Sequence, residues 1–93
     1  MSYFTVRVEL HYASETDYEK LHAAMARQGF SRQIVGKDGR TYHLPTAEYS
    51  VRGNYTGDYV RQAAATAAAS TGKKYAVLVT SGDSVSWQGL IAA

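Results

Sequence analysis

Arg7, Glu9 and His43 are the residues of this chain whose types together could act on a phosphodiester. A guanidinium can stabilise the charge that develops on phosphorus, and an imidazole with a carboxylate partner can move protons at neutral pH. In this assignment His43 is the acid or base, Glu9 its partner and Arg7 the electrostatic stabiliser. Arg7 and Glu9 lie two residues apart in an alternating run, so both leave the same side of an extended strand. His43 joins them if its own strand lies alongside. The alternative reading needs no substrate: ordinary cross-strand ion pairing on a wet sheet face.

Arg32, Lys37 and Arg40 fall close together near the middle of the chain and are candidate nucleic-acid contacts through phosphate, the alternative being a solvated charged face. Glu48 either lines the same face as His43 or guards a sheet edge. No cofactor is implied. His11, His22 and His43 lack the helical His-x-x-x-His or Glu-x-x-His spacing of a metal motif, and His22 reads as packed on a helix flank. A divalent ion between Glu9 and Glu48 is the metal arrangement left open. The glycine turns lack the spacing of a phosphate loop, and there is no Gly-x-Ser-x-Gly elbow. Eight tyrosines invite stacking on single-stranded nucleic acid, which Tyr3 could provide from the end of the first strand, but core and cross-strand packing is the commoner use.

The elements that must position these groups are legible in the apolar pattern. Tyr3 to Leu10 alternates, with Phe4, Val6, Val8 and Leu10 on one side and Thr5, Arg7 and Glu9 on the other, the mark of a half-buried strand. Ser14 and Asp17 form a capping-box pattern that opens a helix, on which Tyr18, Leu21, His22 and Met25 share a face and which Gly29 ends. Phe30 to Val35 is a second strand. The turn at Lys37-Asp38-Gly39 leads into a third over Arg40 to Val51. That third strand carries the sole proline, Pro45, which predicts a bulge or a sheet edge, and its apolar phase slips by one between Leu44 and Ala47, which favours a bulge that bends the strand.

Asp58 to Ser70 is a helix capped by Thr56 and stopped by Gly72, with a stripe of small residues at Val60, Ala63, Ala64, Ala67 and Ala68. Lys74 to Thr80 is almost continuously apolar, as expected of a strand that is central or covered on both faces. A turn follows at Ser81-Gly82-Asp83-Ser84. The tail from Val85 to Ile91 holds Trp87, Leu90 and Ile91, too apolar to float free. An edge strand, a cover for the open sheet face and a contact for a second subunit are its three options. The order β-α-β-β-α-β is the ferredoxin-like pattern: an α+β sandwich with two helices on one face of a four-stranded antiparallel sheet, the other face open.

Ninety-three residues make one domain, 1–93, with a core over 3–80 and a tail over 81–93. The chain has no cysteine, which excludes a disulfide framework, a thiol nucleophile and thiolate-bound zinc, and fits a cytoplasmic location. A formal charge of +2 is far from the balance of a dedicated duplex-DNA binder. No apolar run approaches the roughly 20 residues that span a bilayer, and no signal peptide pattern opens the chain, so no membrane partner is expected.

Four blocks, Thr5-Val6-Arg7-Val8-Glu9-Leu10, Tyr18-Glu19-Lys20-Leu21-His22, Gly29-Phe30-Ser31-Arg32 and Leu44-Pro45-Thr46-Ala47-Glu48-Tyr49, together resemble the small bacterial and phage family of GhoS-like endoribonuclease antitoxins of type V toxin–antitoxin systems. The resemblance runs over roughly residues 3 to 90. It implies a ferredoxin-like fold akin to small CRISPR-associated nucleases, and cleavage of single-stranded RNA that encodes a small membrane toxin. Those nucleases use an acid near the end of the first strand, where this chain has Glu9 and then His11. The expectation is therefore a protein that binds single-stranded mRNA, with endoribonucleolytic cleavage as the activity the resemblance implies. The alternative is a non-catalytic interaction module, a homodimer formed through the open sheet face or the tail containing Trp87.

Overall fold

A computed structural model describes residues 2–82 and 86–93. The elements follow the order β1 (Ser2–Leu10), α1 (Glu15–Arg27), β2 (Gln33–Val35), β3 (Thr41–His43), β4 (Glu48–Gly53), α2 (Gly57–Ala69) and β5 (Tyr75–Ser81). The fold is mixed α+β with two helices and antiparallel sheets. Alternation in β1 holds residue by residue: Phe4, Val6, Val8 and Leu10 are buried, whereas Arg7 and Glu9 are exposed. The buried row meets Leu21, Ala24 and Met25 of α1 and Val60, Ala64, Ala67 and Ala68 of α2 in one core, so both helices lie on that side of the sheet. Alanine at three of the four buried positions of α2 lets its axis approach closely, and Tyr49, Phe4 and Leu21 supply the volume.

Local signals start and stop the helices as the side chains dictate. The Ser14 hydroxyl accepts the Asp17 N–H, and the Asp17 carboxylate accepts the Ser14 N–H at 3.0 Å, a reciprocal box that holds the Asp17 carboxyl below its ordinary range. Thr56 caps α2 by accepting the Tyr59 N–H at 3.1 Å.

β1 lies between β4 and β5, antiparallel to both, with Arg7 opposite Glu48 on one side and Leu78 on the other. β2 and β3 form a separate two-stranded hairpin closed by the expected turn, where Gly39 has φ +79° and the Gly36 N–H bonds the Arg40 carbonyl at 2.8 Å. The expected continuous third strand is broken between His43 and Glu48. Pro45 has no N–H to give a ladder, its carbonyl accepts the Glu48 N–H at 3.0 Å, and Ala47 takes φ +72°, so the chain turns there instead of bulging. Beyond the turn the phase is the shifted one, and Tyr49 is fully buried. What was expected as one four-stranded sheet is thus a three-stranded sheet and a hairpin. Ser31 and Ser50 join the two, exchanging two main-chain bonds of 2.8 Å.

Two further expectations are corrected. Among the described residues β5 is not central or covered on both faces: it is an edge strand whose Leu78 is 64 % exposed, its apolar run reflecting one covered face and one bare one. The face opposite the helices is not uniformly open either. Ser50, which points to that side, is buried, and its hydroxyl donates to the Gln33 carbonyl at 2.7 Å. The tail takes the strand-like option. Tyr42 forms a bridge with Ala92, the His43 N–H bonds the Ile91 carbonyl at 2.9 Å, and Trp87 packs edge-on against Tyr42 at 5.5 Å. The turn expected over 81–84 and the start of the tail fall partly on 83–85, outside the described residues. Among the described residues no helix is long and apolar enough to cross a membrane.

Candidate functional site

β1 places Arg7 and Glu9 as its alternation requires, on the side away from the helices. They line a shallow cleft of about 330 Å³ with Tyr18, Thr46 and Ala47. The imidazole nearest to Glu9 is that of His11, with Nδ1 3.8 Å from Oε1 and both side chains well exposed. Glu48 stands opposite Arg7 across the β1–β4 ladder and is half-buried.

His43 is elsewhere. β1 has β4 and β5 as its neighbours, so β3 is never alongside it, and His43 faces Gln33 of the hairpin instead. The constellation of Arg7, Glu9 and His43 is therefore split. The break at Pro45 is the cause: it takes β3 out of the sheet that β4 continues.

His43 has other company. With His22 and Ala26 from α1, Phe30, Ser31, Arg32 and Gln33 from the segment entering β2, and Leu44, it lines a hollow of about 530 Å³. Arg32, one of the expected phosphate contacts, belongs to this hollow. Lys37 and Arg40 flank the hairpin turn, both exposed. There Asp38 accepts the Arg40 N–H at 3.0 Å and the Tyr42 hydroxyl at 2.8 Å, which holds the Asp38 carboxyl low and raises the Tyr42 phenol. The hairpin turn is thus built by an acid that partly offsets its two cations.

His22 is the residue of the hollow that pattern reading left as a flank-packing side chain. Its Nδ1 lies 2.6 Å from the hydroxyl of Tyr49, whose ring is in the core. Burial pushes the Tyr49 phenol up to about 12, so it stays protonated at neutral pH. Burial, and then the nearby Arg32 guanidinium, lower the His22 pKa against the opposing pull of Glu19. A neutral imidazole with Nδ1 fixed on a buried phenol leaves Nε2 as the nitrogen free to work in the hollow. With the Nδ1–H tautomer donating to Tyr49, Nε2 is a base; with Tyr49 donating, Nε2–H is a donor. No local signal announces this pair. The partners are 27 residues apart, and they meet because β4 docks beside β1 beneath α1.

The arrangement can do two things chemically. Arg32 and the side chains of Ser31 and Gln33 offer donors to an anion, and two imidazoles, one from α1 and one from β3, offer a base and an acid. Among the described residues no group of three or more His, Cys, Asp or Glu stands together as a metal site would require. No protein-family model and no curated protein matches the chain.

Proposed function

We propose that this protein binds single-stranded RNA in the hollow between α1 and the β2–β3 hairpin and cuts it there, as an antitoxin-like endoribonuclease of the GhoS type acting in the cytoplasm. One observation carries the reading: His22, Arg32 and His43 line the same hollow. Two imidazoles and a cation are a sufficient set for cleavage through the 2′-hydroxyl of RNA. In the step we propose, His22 Nε2 takes the proton of the 2′-hydroxyl, the O2′–P bond forms, the P–O5′ bond breaks, and His43 gives a proton to the departing 5′-oxygen. Arg32 stabilises the charge on the phosphoryl oxygens. The products are a 2′,3′-cyclic phosphate and a 5′-hydroxyl. Arg7 and Glu9 have no part in this step.

A ferredoxin-like core is part of the same proposal. Its support is the central place of β1 between β4 and β5, the two helices on one face, and the Ser31–Ser50 bridge that carries the strand order toward β2. The functional test is incubation of the purified chain with labelled single-stranded RNAs, comparing it with His43→Ala, His22→Gln and Arg32→Ala. Each folded variant is expected to lose at least about 100-fold in cleavage rate. Arg32→Ala should also weaken binding and flatten its salt dependence. Undiminished cleavage in the folded histidine variants would place the chemistry elsewhere, and the absence of both cleavage and salt-sensitive binding would remove RNA from the account.

A further inference from the structure

We infer that two copies of this chain associate through the outer edge of β5, running antiparallel about a two-fold axis at Leu78, so that their sheets become one. Among the described residues β5 has β1 as its sole partner strand, which leaves its other edge unpaired. Such edges in soluble proteins are ordinarily guarded by a charge, a proline or a bulge. The strand YAVLVTS has none of these over Tyr75–Ser81. Leu78, in its middle, is 64 % exposed.

The direction of the free groups follows from the ladder to β1. The His11 N–H bonds the Lys74 carbonyl and the Gly82 N–H bonds the Tyr3 carbonyl, both on even-numbered residues of this stretch. Even positions therefore turn their main-chain groups toward β1, and Tyr75, Val77, Val79 and Ser81 turn theirs outward. These outward residues are arranged symmetrically about Leu78. When the strand meets a second copy of itself with Leu78 opposite Leu78, Val77 stands opposite Val79 and Tyr75 opposite Ser81. Every outward group then has a partner, giving about eight main-chain hydrogen bonds.

Self-pairing also fits the side chains. Leu78 falls in the non-hydrogen-bonded position, where facing Cβ atoms are about 4.5–5.5 Å apart, so each leucine covers the other's bare surface on the face away from the helices. No like charges meet, because the strand carries no charge; the flanking Lys74 comes opposite Gly82 of the second copy. A second copy is the occupant that sets the bare Leu78 against an equally bare leucine and brings no charge opposite a charge. One seven-residue strand provides less than the ~800 Å² per partner of a standard stable interface, so the dimer is expected to dissociate on dilution.

Disulfide trapping reads the axis directly, because the chain has no cysteine of its own. The facing Cα separation of about 4.5 Å at such a pair suits a disulfide. Leu78→Cys is expected to form a covalent dimer under mild oxidation at least about tenfold faster than Tyr12→Cys, whose site is fully exposed but away from the axis. Alongside it, sedimentation of the unmodified chain over a wide concentration range should show a monomer–dimer equilibrium. Val77→Pro, which deletes an outward N–H and spares the ladder to β1, should leave a folded monomer. Hydrogen exchange of the unmodified chain should show the Val77 and Val79 amides slowing as concentration rises. A chain monomeric throughout, with Leu78→Cys trapping no faster than Tyr12→Cys, overturns the inference. So does a dimer in which those two amides exchange as fast as in the monomer. The exchange measurement decides the matter if Val77→Pro does not fold.

Discussion

Replacing Tyr49 with phenylalanine removes one oxygen from the core and leaves the ring in place. The hydroxyl makes a 2.6 Å hydrogen bond to His22 Nδ1, among the described residues the one hydrogen bond of an otherwise fully buried side chain. A neutral hydrogen bond of this kind contributes about 0.5–1.5 kcal/mol net, and stranding a partner adds to the loss. His22 is only half-buried, so water can reach part of its ring and the added penalty is small. Tyr49→Phe is therefore expected to cost about 1–1.5 kcal/mol, which lowers Tm by roughly 4–12 °C in a chain of this size. The assay is urea or thermal unfolding at pH 7.5, run as a double-mutant cycle with His22→Gln, in which the coupling should be about 1 kcal/mol. A cost below about 0.3 kcal/mol, or an undiminished cost in the His22→Gln background, refutes the pairing as an energetic contact. In RNA cleavage, folded Tyr49→Phe should be about tenfold slower or more, because the ring of His22 loses the contact that orients Nε2. A merely structural hydroxyl would move stability and leave the rate alone.

Other consequences are as direct. Among the described residues the Tyr3 hydroxyl is buried with no hydrogen-bond partner, the Ser50 hydroxyl near it donating to the Gln33 carbonyl instead, and burial raises its pKa; Tyr3→Phe should leave stability unchanged or raise it by up to about 1 kcal/mol in chemical denaturation. Because the folded pKa of His22 lies below its ordinary 6.5, the unfolded chain binds more protons as pH falls. Its contribution to stability is complete above 6.5 and is lost as pH drops from 6.5 through the folded value; denaturation midpoints between pH 8 and 5 should show this fall, and His22→Gln should flatten it. Thr56→Ala should cost about 1 kcal/mol by unmaking the cap on Tyr59 N–H, measured by thermal unfolding.

The parts of the fold that were legible are those set by local chemistry. Phe4, Val6, Val8 and Leu10 announced β1 by period; Ser14 and Asp17 announced the entry to α1; Asp38-Gly39 announced the turn of the hairpin; and the alanines of α2 announced its buried stripe. Pro45 and the phase slip after Leu44 marked a disturbance, but a bulge and a full break leave the same pattern in sequence. The difference lies in Ala47 adopting a positive φ, which alanine does not advertise. That break decided the site, since it moved His43 from beside Arg7 to beside His22 and Arg32. β5 misled for a related reason. An apolar run reads the same whether its second face is covered by the protein or left bare, and Leu78 is bare. The His22–Tyr49 pair was illegible because it depends on two segments packed together across the core, and nothing near either residue signals the other.

The claim that two histidines and an arginine cut RNA through its own 2′-hydroxyl is tested most directly by the fate of a single nucleotide. The cleavage site in a labelled RNA is first mapped, and the same RNA is then made with one 2′-deoxy nucleotide on the 5′ side of that bond. The account predicts that the all-ribo strand yields a 2′,3′-cyclic phosphate end and that the deoxy strand still binds but is not cut at that bond. Cleavage of the deoxy-substituted bond at an undiminished rate, or products carrying a 5′-phosphate, would contradict it.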